Sequence, residues 1–359
     1  MTELSLQQTA CPVCGAAGFR RFLAGRDVRC GIDGLFSVVR CDTCRHLYMN
    51  PAPTAESLEA CYPSDYAPHL AGVTKPGAVA EDGIQSRPGS SERVGPARPW
   101  YLRYLPLKSV PGLRSLYYWL TDDRTQPVPL ARSVCPSAAA TRIPVSPKAL
   151  ELGCSTGNYL AALHRQGWEV YGVELCAEPA RVACEAGWNV HQGTLETAGL
   201  QDEAFDLIAA WMVLEHVPEP VATIQTIHQL LRADGILLLG VPNAACWQRY
   251  LFGANWYCLD LPRHLQHFSP SILRKLLEQA GFDQIEIVHH RTLLGLVGSL
   301  GIVIRRWFPS ARLGGWMQRY PEQPRLLLQL LLSPLAIAFS LIHQGEGLTV
   351  QARKRSARG

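Results

Sequence analysis

Glu151-Leu152-Gly153-Cys154-Ser155-Thr156-Gly157 is the stretch whose reading decides the fold of this 359-residue chain. Before it, the apolar run Ala149 to Leu152 reads as a short strand. After it, Tyr159 to Arg165 carries apolar residues at helical spacing. Glycines between a strand and a helix let the backbone turn tightly and approach a ligand at the helix N-terminus. Glu174 ends the next strand, one helix and one strand beyond Gly157. An acidic side chain there can accept hydrogen bonds from both hydroxyls of a nucleoside ribose. A dinucleotide-dependent oxidoreductase, one rival reading, should show GxGxxG at this turn, and the loop does not.

The same alternation continues outward. Glu169 to Leu175, Trp188 to His191, Phe205 to Ala210, Ile236 to Val241, Gln284 to Val288 and Leu348 to Ala352 read as strands. Helices are expected from Pro179 to Ala186, from Pro220 to Leu231, and from the Ser269-Pro270-Ser271 cap to Gly281. Short apolar strands alternating with helices define an α/β chain. Right-handed crossovers place the strands of residues 148–290 in one doubly wound, Rossmann-like sheet. The expected organisation is a module holding two CxxC pairs at 1–66, a linker with a basic-aromatic segment at 67–147, the α/β domain at 148–290, an apolar helical insertion at 291–346, and a final strand with a basic tail at 347–359.

These residues resemble the class I S-adenosylmethionine-dependent methyltransferases. Glu151, Gly153 and Gly157 match the family's acidic residue with alternating glycines, and Ser155 stands where the middle glycine would be. The likeness runs on through Phe205-Asp206-Leu207-Ile208, Val213 to Pro220, Leu231 to Gly235, and His264 to Phe268 before a helix ending in Ala280-Gly281-Phe282. It covers residues 148–290. The resemblance implies that Gly153, Ser155 and Gly157, with Glu151, hold the methionine moiety of S-adenosylmethionine. It also implies that Glu174 holds the ribose and that Thr194 and Leu195 lie near the adenine.

Methyl transfer is an in-line displacement at a sulfonium carbon, so positioning dominates. An oxygen or carbon acceptor also needs a proton removed, and histidine has a suitable pKa. His264 and His216 are the candidate bases, both expected near the carboxyl edge of the sheet. His216 could equally cap a helix, and His267 could pack beside Phe268. Some ubiquinone-biosynthesis O-methyltransferases carry a metal-binding glutamate three residues before the Glu215-His216 pair. Met212 occupies that position here and argues against a catalytic metal.

Cys11-Pro12-Val13-Cys14 and Cys41-Asp42-Thr43-Cys44 are two CxxC pairs, separated by the segment Gly15 to Arg40. Two such pairs complete a tetrahedral four-thiolate Zn2+ site, closed and therefore structural. Gly15 and Arg45 continue both knuckle-like turns. With Leu47 to Pro51 following, this segment resembles the zinc-binding N-terminal module of many bacterial methyltransferases, sugar methyltransferases among them. The resemblance implies O-methylation of a sugar, a glycan intermediate or a secondary metabolite. Cys154 reads as a small packed residue rather than a nucleophile.

Hydrophobic residues make up 47% of the chain and charged ones 18%, which excludes wholesale disorder. A net charge of +4 is too mild to imply nucleic acid. Between Met1 and Tyr66, six arginines stand against seven carboxylates. That is not the dense basic face that a zinc-ribbon adaptor with an inactive methyltransferase domain would need. No secretory signal is visible at Met1 to Ala10, so the 12 cysteines are expected in a reducing cytoplasm.

Two stretches stand out. Arg93 to Thr121 has five basic residues and six aromatics, and Arg291 to Pro321 has five arginines; neither contains an acid. Leu326 to Ile342 adds an uncharged, largely apolar run. Three readings are open: a lid over the acceptor site, a face on an anionic membrane that would suit a lipid-linked glycan acceptor, and a membrane span. Pro334 and the short length weigh against the span.

Overall fold

A computed structural model describes residues 4–63, 66 and 146–355. The basic-aromatic stretch at Arg93 to Thr121 and the end of the tail lie outside the described residues.

Among the described residues thirteen strands run in chain order: β1 Leu6–Gln7, β2 Phe19–Gly25, β3 Phe36–Cys41, β4 Leu47–Met49, β5 Ala52–Pro53, β6 Lys148–Leu152, β7 Glu169–Glu174, β8 Val190–Gln192, β9 Phe205–Trp211, β10 Leu231–Pro242, β11 Gln266–His267, β12 Phe282–His289 and β13 Gly347–Lys354. Seven of them form the main sheet, in the order β12-β13-β10-β9-β6-β7-β8. β8, β7, β6, β9 and β10 pair in parallel. β13 runs antiparallel to both β10 and β12, its neighbours on either side. The doubly wound α/β sheet expected from the strand-helix alternation is therefore present, with a reversed strand inserted next to its edge.

The central strands alternate as a two-residue period demands. Leu150, Leu152, Ile208, Ala210, Leu237 and Leu239 face one layer, with Ile227 of the helix Pro220–Leu230 and Leu273 and Leu276 of the helix Pro270–Gln279. Ala149, Leu207, Ala209, Ile236 and Leu238 face the other, with Tyr159 and Leu163 of the helix Asn158–His164. Both faces are dry, which is why these strands read as apolar runs rather than as alternation. β8 begins at Val190, later than the expected Trp188, whose ring packs over the backbone of Gly157.

A second sheet, ordered β11-β4-β3-β2, joins the N-terminal segment to the large domain. β11 follows residues 148–265 in sequence yet pairs with β4, Gln266 opposite Tyr48 and His267 opposite Leu47. Cys11, Val13, Val39, Cys41 and Tyr48 share a core cluster with Phe268, Ile272 and Leu273. The zinc-type knuckles and the α/β domain thus share hydrogen bonds as well as apolar contact.

Between β12 and β13 lie three helices, Leu294–Trp307, Arg312–Arg319 and Leu326–Leu341, so the expected insertion is helical. The first two cross closely. A Cβ on Gly301 would meet the backbone of Gln318, and the Gly314 carbonyl oxygen at 2.7 Å. Glycine is what permits that approach.

Candidate functional site

The loop after β6 turns through the left-handed region at alternate residues: Gly153 at φ 71°, Ser155 at 48° and Gly157 at 85°. A Cβ on Gly153 would collide with the Val213 side chain, and one on Gly157 would come within 2.6 Å of the Trp188 ring. Ser155 adopts the same left-handed conformation with its Cβ in place.

Glu174, at the carboxyl end of β7, ties the loop down. One carboxylate oxygen accepts the N–H of Ser155 at 2.8 Å and the other the N–H of Cys176 at 2.9 Å. Each oxygen keeps a further lone pair for a hydroxyl donor. The N–H of Gly193 donates to the Glu174 carbonyl at 2.9 Å, which places the Thr194-Leu195 turn beside the end of β7. Thr194 is exposed there, its N–H donating to Thr197 Oγ1, while Leu195 packs into the main core. Glu151 is buried with Oε2 unpartnered, and burial together with the charge of Glu174 pushes its carboxyl well above the ordinary range. An orphaned carboxylate oxygen at the foot of a thrice-turned loop fits a ligand bearing an ammonium group, and Glu174 fits one bearing ribose hydroxyls. These residues all gather at the carboxyl ends of β6, β7 and β8. Cys154 is packed against the backbone of Gly172, and burial pushes its thiol up, in keeping with a packed residue.

The two candidate bases belong to one site. The rings of His216 and His264 meet edge to face, with centroids 4.7 Å apart. His216 lies on the short turn Leu214–His216 after β9, and His264 on the loop before β11. His264 Nδ1 lies 2.8 Å from the Cys258 carbonyl oxygen, which can only accept. That bond assigns the proton to Nδ1 and leaves Nε2 with a lone pair. Asp260 Oδ2 lies 3.8 Å from that Nε2. His216 Nδ1 contacts the Tyr62 hydroxyl at 2.9 Å and the Arg263 carbonyl at 3.1 Å. Burial pushes His216 down to about 4, and burial with the neighbouring ring of His216 holds His264 well below its ordinary value. Both rings are neutral near pH 7. His267 is elsewhere, on β11 opposite Leu47.

Glu215, not singled out from the sequence as a site residue, completes the cluster. Both its carboxylate oxygens are buried without a hydrogen-bond partner. Burial raises it to about 8. The donor atoms of Glu215, His216 and His264 all lie within 4.8 Å of one another. One carboxylate and two imidazoles are a donor set suited to a divalent transition-metal ion. Met212 is half exposed and offers no oxygen, as its identity implied, but His264 arrives from another loop to supply a third donor. No local pattern in the sequence connects His264 to Glu215, because two helices and β10 lie between them.

Beneath these histidines lies a buried charge cluster. Arg263 Nη2 donates to Asp27 Oδ1 at 2.8 Å and to Asp260 Oδ1 at 2.7 Å, and Arg29 Nη1 donates to Asp260 Oδ2 at 3.1 Å. Burial opposes ionisation of Asp260, but Arg29 and Arg263 outweigh it and hold the carboxyl well below the usual range. The two arginines and two aspartates, with Glu322 3.8 Å from Arg29 at the edge, lock the loop that carries His264 to the N-terminal segment.

In that segment, Cys11 and Cys44 sulfurs lie 3.5 Å apart, as do those of Cys14 and Cys41, and all four are within 4.8 Å of one another. Tetrahedral zinc with ~2.3 Å bonds needs sulfurs about 3.8 Å apart. Gly15 at φ 71° and Arg45 at φ 69° donate their N–H groups to the Cys11 and Cys41 carbonyls, giving two matched knuckles. The four cysteines could hold such an ion with no position left open. Next to the second knuckle, His46 Nε2 meets Gln266 Oε1 at 2.9 Å, and the Gln266 amide donates to the Val217 carbonyl. The knuckle is therefore linked to the turn that carries His216.

Comparison with known proteins agrees with this architecture. Residues 128–287 match the family model described as a methyltransferase domain. The ubiquinone biosynthesis O-methyltransferase of Haemophilus ducreyi is 31% identical over 153 residues, covering 38% of this chain and 65% of that protein. The enzyme of the same name from Glaesserella parasuis is 31% identical over 158 residues, covering 39% and 67%. A solved S-adenosylmethionine-dependent methyltransferase from Mesorhizobium loti is similar at 18% identity and a TM-score of 0.41, over 65% of this chain and 100% of that one. A Rossmann-like sheet with a glycine-type loop and an acidic residue closing its second strand defines a protein built to hold a nucleoside-containing cofactor. The chain belongs to the class I S-adenosylmethionine-dependent methyltransferases. It spans 65%, 59% and 59% of the lengths of the first three curated relatives it matches.

Proposed function

We propose that this protein transfers the methyl group of S-adenosylmethionine to a hydroxyl oxygen of a small-molecule acceptor, with His264 taking the hydroxyl proton. The observation that carries the reading is the shared edge. The loop Gly153–Gly157, Glu174 and the neutral His264, with Nε2 free to accept, all stand at the carboxyl side of the parallel strands. The relatives' name, O-methyltransferase, supports oxygen as the methylated atom. Once protonated, His264 would have the Asp260 carboxylate 3.8 Å from its new N–H. The cofactor supplies an electrophilic methyl group; the chain's part is to hold it, exclude water and remove one proton.

The test is a panel of phenolic, sugar and other hydroxyl acceptors assayed by release of demethylated cofactor. His264→Ala should lower kcat by about 10²–10⁴-fold with the cofactor Kd unchanged. Turnover of a sugar would support the glycan acceptor expected from the N-terminal module. Turnover on nitrogen acceptors alone would overturn the oxygen reading.

A second reading is favoured by Glu215, whose unpartnered buried carboxylate a base mechanism leaves unexplained. Glu215, His216 and His264 would hold a divalent cation, and such an ion would acidify a bound hydroxyl. Glu215→Gln separates the two. It spares activity if His264 acts as base, and abolishes both activity and metal-dependence if the cluster is a metal centre. We also propose one structural Zn2+ on Cys11, Cys14, Cys41 and Cys44.

A further inference from the structure

The insertion between β12 and β13 has an inner and an outer face. Inside, Glu346 accepts the N–H groups of Gly295 and Leu296 at 2.9 and 3.3 Å and caps the helix Leu294–Trp307. Ser299 Oγ of that helix accepts the Tyr257 N–H at 2.9 Å. On the helix Leu326–Leu341, Ser333 and Ala336 are the buried positions. Outside, Leu327, Leu331 and Leu335 recur every fourth residue and form one stripe, 69%, 68% and 48% exposed. Trp307 and Phe308 end the first helix exposed, and Leu341 ends the last one the same way. Single exposed apolar residues need no explanation, but an aliphatic stripe with protruding aromatics does.

Charge selects the occupant. Arg305, Arg306, Arg312, Arg319 and Arg325 are exposed on the same three-helix insertion. Among the described residues, none of the five is ion-paired with a carboxylate. Their described partners are Gln318 for Arg305, Asn255 for Arg306 and the Trp316 ring for Arg325. Arg291 to Pro321 contains no acid at all. A second copy docking isologously would bring arginine against arginine, which is unfavourable. An anionic bilayer instead offers phosphates to the arginines and an acyl boundary to Trp307, Phe308 and the leucines. Among the described residues no helix is long and apolar enough to cross a membrane. At 16 residues, Leu326–Leu341 is about 24 Å long, short of the ~30 Å hydrocarbon core.

We propose that this insertion is a peripheral docking face for anionic lipid bilayers. It connects to the histidine site in two steps. Ser299 holds the Tyr257 amide, and the next residue, Cys258, holds His264 by its carbonyl. On the reading given under Proposed function, docking would bring the site to an acceptor carried in the membrane.

The full chain is sedimented with phosphatidylcholine vesicles and with vesicles containing phosphatidylglycerol. At least tenfold more protein should pellet with the anionic vesicles, and salt should release only part of it, because the screened arginine attraction falls while apolar insertion persists. Leu327→Gln/Leu331→Gln/Leu335→Gln should lose the salt-resistant fraction, and Arg305→Gln/Arg306→Gln/Arg312→Gln the salt-sensitive one. Both should keep the wild-type circular dichroism and cofactor binding, whose loss would speak to the enzyme reading rather than to docking. Equal recovery in the supernatant with both vesicle types overturns the proposal. So does anionic binding untouched by either triple variant, or a solution dimer that the leucine variant dissociates.

Discussion

Asp27→Ala is the most discriminating perturbation of the fold, because the carboxylate it removes reaches across 236 residues of sequence to Arg263. Asp27 accepts both terminal nitrogens of that guanidinium, at 2.8 and 3.0 Å. It also accepts the N–H groups of Arg29, Cys30 and Ile32 at 2.9, 3.0 and 3.2 Å. Without it, Arg263 and Arg29 share Asp260 inside the protein, with Glu322 3.8 Å from Arg29 as the remaining carboxylate. Removing one partner of a buried ion pair costs ~3–5 kcal/mol. The three amides add up to ~1 kcal/mol each, less what water recovers. About 4–6 kcal/mol is expected, a large part of the ~5–15 kcal/mol that holds a domain together. Urea unfolding followed by circular dichroism measures it. Asp27→Ala/Arg263→Ala, which leaves Arg29 paired with Asp260, should be less damaged than the sum of the single variants by ~1–3 kcal/mol. At a temperature where the single variant stays folded, turnover should fall more than cofactor affinity, since the cluster braces His264 and not Glu174. A cost below ~1.5 kcal/mol, or strict additivity, would refute the reasoning.

Glu174→Ala should weaken S-adenosylmethionine binding by ~1.5–3 kcal/mol in calorimetry, as loss of hydrogen bonds to a charged group does, and tight binding of NAD by wild type would contradict the cofactor assignment. Protein prepared under reducing conditions should carry one zinc on the four cysteines by metal analysis, and Cys14→Ser should lose it along with much of the N-terminal fold. Because Gln266 links the second knuckle to Val217, that variant should also lower turnover, while wild-type turnover in a metal-free Cys14→Ser protein would argue against the link. Burial raises Glu346 to about 7, against the N–H of Gly295 and the Gln248 amide, which favour its ionised form. A folded pKa above the unfolded ~4.3 means that its contribution is full below ~4.3 and is lost as pH rises through 7. Glu346→Gln should therefore flatten the stability profile between those values by up to ~4 kcal/mol, and an unchanged slope in urea titrations would refute the attribution.

What could be read from the sequence was what neighbouring residues settle among themselves. The turn Gly153 to Gly157 declares itself because alternate left-handed residues between a strand and a helix need small side chains. Glu174 follows from the length of one helix and one strand, and each cysteine knuckle is a matter of four or five consecutive residues. The apolar strands announced a buried parallel sheet for the same reason, since both of their faces must be dry. Position in the sheet was another matter: nothing in Leu348 to Ala352 says that it slides antiparallel between β10 and β12. The site histidines show the same divide. His216 and His264 read as alternatives because two helices and the whole of β10 separate them in sequence, yet the fold sets their rings 4.7 Å apart and buries Glu215 beside them. Asp27 and Arg263 carry no local mark of each other at all. An ion pair or a metal-capable cluster depends on distance and on exclusion of water, and only the packed chain creates either.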